Sequence, residues 1–325
     1  MYKNPGNHEE IEYLMDLLTN DETALETAKE HLEIDTHKSK AFQPELKFSE
    51  SSPLAILNDS EADRGLMGFF NARSRRARYK RFEKRLKRNP GSEVIISEGD
   101  SWFQYPVFLK DVIDHLSEVD DWAIRSFGYG GDWLSNILEE AEYINAIRYY
   151  NPKVFLVSGG GNDIVGERLT TLLKPYNKQE PGRKPGDYLG DDFHQVISDL
   201  KFLYHRLFTK LTSEFKALNI ICHGYDYAIP GEKSALPMGG WLQDPMEKLG
   251  IENKELQCLI IEALIDEFNK MLGSLVADNK YDGRVHFLDN RGTVSATEWF
   301  DELHPRSFAF MKVAQQFKSK IYEII

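Results

Sequence analysis

From about residue 93 to residue 325, short runs rich in β-branched and aromatic residues alternate with longer segments whose apolar residues recur every three or four positions. That alternation is the signature of βαβ units and a parallel sheet. Strands are expected at 94–98, 122–127, 153–158, 219–223 and 284–288, and five suffice for a flavodoxin-like sheet. Between them, Pro106 suits a helix start, and Leu109, Val112, Ile113 and Leu116 share one apolar face. Asp132 can cap a helix to about residue 149, ended by Asn151-Pro152; Asp191 or Asp192 opens another through 217; segments 253–277 and 307–324 complete the set. Right-handed crossovers would place helices on both faces of the sheet, so the expected fold is α/β, a three-layer α/β/α sandwich.

Residues 1–90 lack this alternation. Segment 11–32 reads as helix, with Ile11, Leu14, Leu17, Leu18 and Leu25 as its stripe, and 36–62 reads as irregular. The expected organisation is a mainly helical N-terminal extension, 1–90, followed by an α/β domain, 91–325. That domain carries two Gly- and Pro-rich inserts, 174–192 and 224–250, longer than the 2–6 residues usual for such connections.

Hydrophobic residues at 41% and charged residues at 28% place the chain among soluble globular proteins, and no run approaches the ~18 apolar residues of a membrane span. The opening "MYKNPGNHEEIEYL" lacks a basic start followed by an apolar stretch, so the expected location is cytoplasmic. Cys222 and Cys258 have no metal-ligand spacing, and no metal is expected. A net charge of −12 opposes general attraction to nucleic acid or anionic membranes. The charge is uneven: residues 1–70 hold 15 acidic and 6 basic side chains, whereas 73–88, "RSRRARYKRFEKRLKR", hold 10 basic and 1 acidic. The favoured reading of this block is a solvated helix paired with the acidic N-terminal segment; binding of an anionic partner is the less favoured one. Phe82 and Leu86, four apart, give it one packing face.

In an open parallel sheet, ligands bind beyond the carboxyl ends of the strands. Those ends carry "GDSW" with Ser101, "SFGYGGDW" with Gly128, Gly130 and Gly131, "SGGGNDIVG" with Asn162 and Asp163, and "DNRGTVSATEWFDELHP" with Asp301 and His304. Neither glycine turn completes a phosphate-binding fingerprint. Acyl transfer needs an attacking hydroxyl, a base, an acid that fixes the base's tautomer, and donors for an oxyanion. Ser101 can attack, His304 can take its proton, and Asp301, three residues earlier, can reach the imidazole. The Ser101 N–H, the Gly131 N–H and the Asn162 amide could supply the oxyanion hole, with Gly130 a competitor for the middle place.

The order Gly-Asp-Ser, Gly, Gly-x-Asn-Asp, Asp-x-x-His-Pro resembles the GDSL/SGNH hydrolases, serine esterases and lipases on a flavodoxin-like fold. The resemblance covers about 93–325. It implies signature residues at Ser101, Gly131, Asn162 and His304, Asp301 as the triad acid, no metal and no organic cofactor. It further implies a small-molecule, lipid or acylated-saccharide ester as substrate. Trp102 stands where the family is usually aliphatic; with Tyr225 and Trp241 it is a candidate substrate wall. Asp100 and Asp163 are expected to brace loops, Glu298 and Glu302 to be solvated, and His223 to be a strand-end residue. A rival reading is a catalytically idle binding or assembly protein that kept the fold and recognises a partner through its acidic-basic extension.

Overall fold

The computed structural model of the 325-residue chain describes residues 13–14, 17–18, 27, 30–34, 46–56, 65–105, 109–231, 240–277 and 280–325. In chain order its elements are β1 (Leu32–Ile34), β2 (Leu46–Phe48), α1 (Gly65–Arg88), β3 (Glu93–Glu98), α2 (Val112–Leu116), β4 (Trp122–Ser126), α3 (Leu134–Glu140) and α4 (Tyr143–Tyr150). There follow β5 (Val154–Val157), α5 (Leu169–Leu172), α6 (Asp191–Glu214), β6 (Asn219–His223), α7 (Gln243–Lys248), α8 (Lys254–Ala277), β7 (Val285–Leu288) and α9 (Ser307–Ile324).

β3 to β7 form one sheet in the order β4-β3-β5-β6-β7, with every pairing parallel. This is the flavodoxin-like order, in which the strand sequence reverses beside the first strand and leaves a crevice at the carboxyl ends of β3 and β5. The central strand β5 is buried along its length, as a strand covered on both faces must be, and its sequence is accordingly the continuous apolar run "VFLV". α2 packs against α9, while α6 packs against α3 and α8.

The five strands fall where the apolar runs predicted them, within about a residue at each end. The expected helix from 132 to 149 is instead two. Ala141 adopts a left-handed conformation, φ 46°, and closes α3; α4 then starts at a new angle that lets Tyr143 stack on Phe155 of β5, with centroids 4.8 Å apart. Asp132 is not the cap of α3: the cap position is Trp133, and the Asp132 carboxylate takes the Trp133 N–H and the side-chain amide of Asn136 rather than an N–H group of the helix. The helix start expected at Pro106 lies outside the described residues.

In the N-terminal region, residues 13–14, 17–18, 27 and 30–31 are helical, in keeping with the expected stripe, but Leu32 begins a strand. β1 pairs antiparallel with β2, so part of the segment expected to be irregular is a strand. Leu14, Leu18, Phe48, Leu54 and Phe70 join the same hydrophobic core as the sheet.

α1 lies along β4, the edge strand. Besides Gly68 and Phe70, its buried positions are Asn71, Arg78 and Phe82, with Arg75 and Arg85 half-buried between and after them: from Asn71 on, a 4-3-4-3 spacing that marks one docked face. The expected pairing of this block with the N-terminal acids falls mostly on residues outside the described ones; the ion pairs seen among the described residues run elsewhere. Arg78 bonds Asp111 and Asp114, Arg81 meets Asp114, Arg85 and Arg88 meet Asp120, and Arg75 meets Glu142, all within the α/β domain.

Candidate active site

After Glu98 the chain leaves β3 in a tight turn. The Phe103 and Gln104 N–H groups donate to the Asp100 carbonyl at 3.0 and 2.8 Å, and Tyr129 N–H donates to the Gly99 carbonyl at 2.8 Å. Position 99 has no room for a side chain: a Cβ would lie 2.7 Å from Ser158 Cβ and 2.8 Å from its carbonyl oxygen. The Asp100 carboxylate accepts from Trp102 N–H at 3.1 Å, from Ser158 Oγ at 2.7 Å and from the Tyr225 hydroxyl. Ser158 in turn is bonded at 2.8 Å to Nε2 of buried His223, whose burial lowers its pKa and keeps the ring neutral. Asp100 therefore braces the turn that presents Ser101.

The second half of the site comes from the chain between β7 and α9. Asp301 is fully buried, and one carboxylate oxygen takes the N–H groups of Leu303 and His304, both at 2.8 Å, folding the segment back on itself. The same carboxylate meets His304 Nδ1 at 2.8 and 2.9 Å. An Nδ1–H donated to a carboxylate leaves the lone pair on Nε2, and Nε2 lies 2.7 Å from Ser101 Oγ. Two residues that sequence reasoning gave no such role hold this geometry. Tyr105 sets its ring edge-on to the imidazole at 4.6 Å, with its hydroxyl 3.5 Å from Asp301 Oδ2, and the Trp102 indole N–H donates to the Leu303 carbonyl at 3.1 Å.

The two glycine candidates separate on their hydrogen bonds. Gly130 N–H is taken by Asn71 Oδ1 at 2.9 Å, whereas Gly131 N–H and Ser101 N–H meet no acceptor among the described residues. Gly131 has φ +88°, a conformation that only glycine adopts without strain, although a Cβ there would meet nothing within 4 Å. Asn162 gives one amide hydrogen to the Asp132 carbonyl at 2.8 Å, which fixes the side chain and leaves the second hydrogen for the cavity it lines. Asp163 receives Leu134 N–H at 3.2 Å at the first turn of α3, and burial pushes its carboxyl up to about 6.

Ser101, Asn162 and His304 border a cavity of about 50 Å³ whose opposite wall is apolar, built from Ile261, Leu264 and Ile265 of α8 with Leu242. Of the three residues expected to form a substrate wall, two border this cavity. Trp102 and Tyr225 do border the cavity, but both are buried, the indole N–H is spent on Leu303 and the phenol on Asp100 and Gly161. Trp241 is half-buried and meets the His304 ring edge-on at 6.0 Å. Glu302, expected to be solvated, is buried instead. Its carboxylate accepts the N–H groups of Gly231 at 2.6 Å and of Leu242 and Gln243 at 2.9 Å, and so ties the 224–250 insert to the residue next to Asp301.

No family model matches the sequence, and no curated protein matches it. Similar solved structures include phospholipase A1 from Streptomyces albidoflavus NA297, at 12% identity and TM-score 0.46 over 70% of this chain and 99% of that one. The extracellular lipase of Streptomyces rimosus is similar at 12% identity and TM-score 0.45, over 70% and 99%. A catalytic mutant of an acetylxylan esterase from Geobacillus stearothermophilus is similar at 15% identity and TM-score 0.40, over 71% and 95%. At such distances the chemistry has to be argued from the residues of this chain. Among the described residues no helix is long and apolar enough to cross a membrane, and no group of three or more His, Cys, Asp or Glu side chains could hold a metal ion.

Proposed function

We propose that the chain is a serine hydrolase of the GDSL/SGNH kind that cleaves carboxylic esters through an acyl-enzyme. The observation that carries this reading is the continuous bonded line Ser101 Oγ, His304 Nε2, His304 Nδ1, Asp301, at 2.7 and 2.8 Å, opening on a cavity with an apolar wall. Ser101 Oγ attacks the ester carbonyl carbon as its proton passes to His304 Nε2. The oxyanion is held by the N–H groups of Ser101 and Gly131 and by the Asn162 amide. The imidazolium, steadied by Asp301, returns that proton to the departing alkoxide, leaving the acyl group on Ser101. Water, deprotonated by the same nitrogen, then attacks the acyl carbon, and the proton returns to Ser101 as the acid leaves.

The acyl group belongs against the apolar wall. A cavity of about 50 Å³ is a few times the ~10–15 Å³ that one water requires, which favours short acyl chains. The rival reading, an idle binding protein working through its basic extension, is weakened because Arg78 and Arg85 of that extension are spent on acids of the same chain, although its exposed face keeps Arg76, Lys80, Lys84 and Lys87.

The test is Ser101→Ala. It should lose hydrolysis of p-nitrophenyl acetate by at least ~10³-fold and lose labelling by a fluorophosphonate. A Ser101→Ala protein that hydrolyses as fast as the wild type would show that Ser101 is not the nucleophile.

A further inference from the structure

We propose that α1 is part of the active-site framework, and that Asn71 and Arg78 are positioning residues, Asn71 for the oxyanion loop and Arg78 for the nucleophile turn. This rests on Ser101 being the nucleophile. The two residues are seven apart, which is two helical turns, so they share one face of α1 and reach the two sides of the site together.

Asn71 is 1% exposed, and the bond it makes through Oδ1 goes to Gly130 N–H; its Nδ2 meets no partner among the described residues. A buried amide with one hydrogen bond costs stability relative to an apolar residue of that size. What it secures is the orientation of the 130–131 peptide. With Gly130 N–H held by Asn71, Gly131 N–H is the free donor of the pair among the described residues; the turn is closed on either side by Tyr129 N–H on the Gly99 carbonyl at 2.8 Å and Asp132 N–H on the Tyr129 carbonyl at 3.1 Å, and Asn71 supplies the side-chain bond between them.

Arg78 is buried and bonds four acceptors. Nη1 donates to the Phe103 carbonyl at 2.5 Å and to Gln104 Oε1 at 2.8 Å; Nη2 donates to Asp111 Oδ2 at 2.5 Å and Asp114 Oδ2 at 2.8 Å. Phe103 and Gln104 are the second and third residues after Ser101. Asp111 Oδ2 also accepts Tyr105 N–H at 2.8 Å, and it is the Tyr105 ring that packs against His304. One guanidinium thus sets the exit of the nucleophile turn and, through Asp111 and Tyr105, the seat of the base. The planar fork of arginine matches four acceptors in a way a lysine ammonium does not.

The experiment compares Asn71→Ala, Asn71→Asp, Arg78→Met, Arg78→Lys and a control, Arg85→Gln, which removes docking bonds to Asp120 and the Ser117 carbonyl away from the turn. Each is assayed for kcat and KM on p-nitrophenyl acetate and for the rate of fluorophosphonate labelling, with folding checked by circular dichroism. Asn71→Ala and Arg78→Met are expected to lower kcat and labelling by roughly 10- to 100-fold with KM little changed, since small misplacements of catalytic groups cost this much. Asn71→Asp, which keeps an acceptor for Gly130, should recover most of the loss, Arg78→Lys only part, and Arg85→Gln should match the wild type. If Arg78→Met fails to fold, the Asn71 pair carries the test. Wild-type kcat in folded Asn71→Ala, or losses no larger than those of Arg85→Gln, would overturn the proposal. A wild-type protein that is not labelled at all would instead overturn the assignment of Ser101.

Discussion

Replacing Glu98 with glutamine should convert a pH-dependent weakness of the fold into a pH-independent one. Glu98 ends β3, is 5% exposed, and accepts Gly99 N–H at 2.9 Å through Oε1. Burial pushes its carboxyl from 4.5 to about 8, against a smaller opposing pull from the Gly99 bond and Arg75. The folded protein therefore holds a proton on Glu98 between those values, whereas the unfolded chain does not. Stability contributed by this group is full below about pH 4.5 and is lost as pH rises toward about 8. At about 1.4 kcal/mol per pH unit, the total loss is on the order of 5 kcal/mol as an upper bound. Glutamine keeps the acceptor for Gly99 and cannot ionise, but its amide N–H₂ adds a fixed cost of about 1–3 kcal/mol where no acceptor stands ready. Urea denaturation of both proteins at half-unit steps from pH 5 to 9, with m-values checked, gives the difference directly. Glu98→Gln should be the less stable protein near pH 5 and the more stable one above pH 8, the curves crossing between, with a slope approaching one proton per molecule. Subtraction removes the contributions of other raised groups such as Asp163. A difference that is flat across this range would refute proton uptake by Glu98 on folding.

Two further outcomes follow from the cavity and its anchor. Leu264→Ala should enlarge the apolar wall, cost about 2–5 kcal/mol in stability, and shift the preferred p-nitrophenyl ester from acetyl or butyryl toward longer chains; an unchanged acyl-length profile would place the acyl group elsewhere. Glu302→Gln puts an amide N–H₂ against the Leu242 or Gln243 N–H and should loosen the insert that carries Trp241 and Leu242. Its KM for the same ester should rise several-fold while kcat changes less, and an unchanged KM would separate the insert from substrate binding.

The parallel sheet was legible because its strands are apolar on both faces and long enough to stand out against helical periodicity. The β1–β2 pair was not, since three-residue strands carry no measurable alternation. The break at Ala141 was hidden for a different reason: alanine is the best helix former, and the packing of Tyr143 on Phe155 overrides that preference. Ser101, Asn162, Asp301 and His304 were visible as side chains at strand ends, and the fold brings Ser101, Asp301 and His304 into contact. Glu302 was misjudged because backbone N–H groups from a distant insert satisfy its carboxylate, and backbone donors leave no trace in composition. Arg78 was misjudged because its acids lie 33 and 36 positions downstream rather than in the acidic segment that precedes it. Its 4-3-4-3 company with Asn71, Arg75, Phe82 and Arg85 was nevertheless present in the sequence as a docking stripe.

That stripe raises the question of why its buried centre is an arginine. Burying an ion pair usually costs more in desolvation than it returns, and well-packed apolar residues of similar size often stabilise a fold better. Such a replacement is closed here. Asp111 caps α2 by accepting the Ile113 and Asp114 N–H groups at 2.9 and 3.2 Å, and it also holds Tyr105 N–H, so its oxygens cannot be dispensed with, while burial pushes its carboxyl up to about 7 against the pull of Arg78. A buried carboxylate committed to a cap and a turn demands a cation, and the Phe103 and Gln104 oxygens beside it demand donors. Arginine answers both with one planar group, whereas an apolar side chain would strip the Phe103, Gln104 and Asp114 oxygens of this donor and leave Asp111 only the Tyr105 N–H on Oδ2. The edge helix is thus held by the same bonds that shape the turn behind Ser101, and a substitution that loosens one loosens the other.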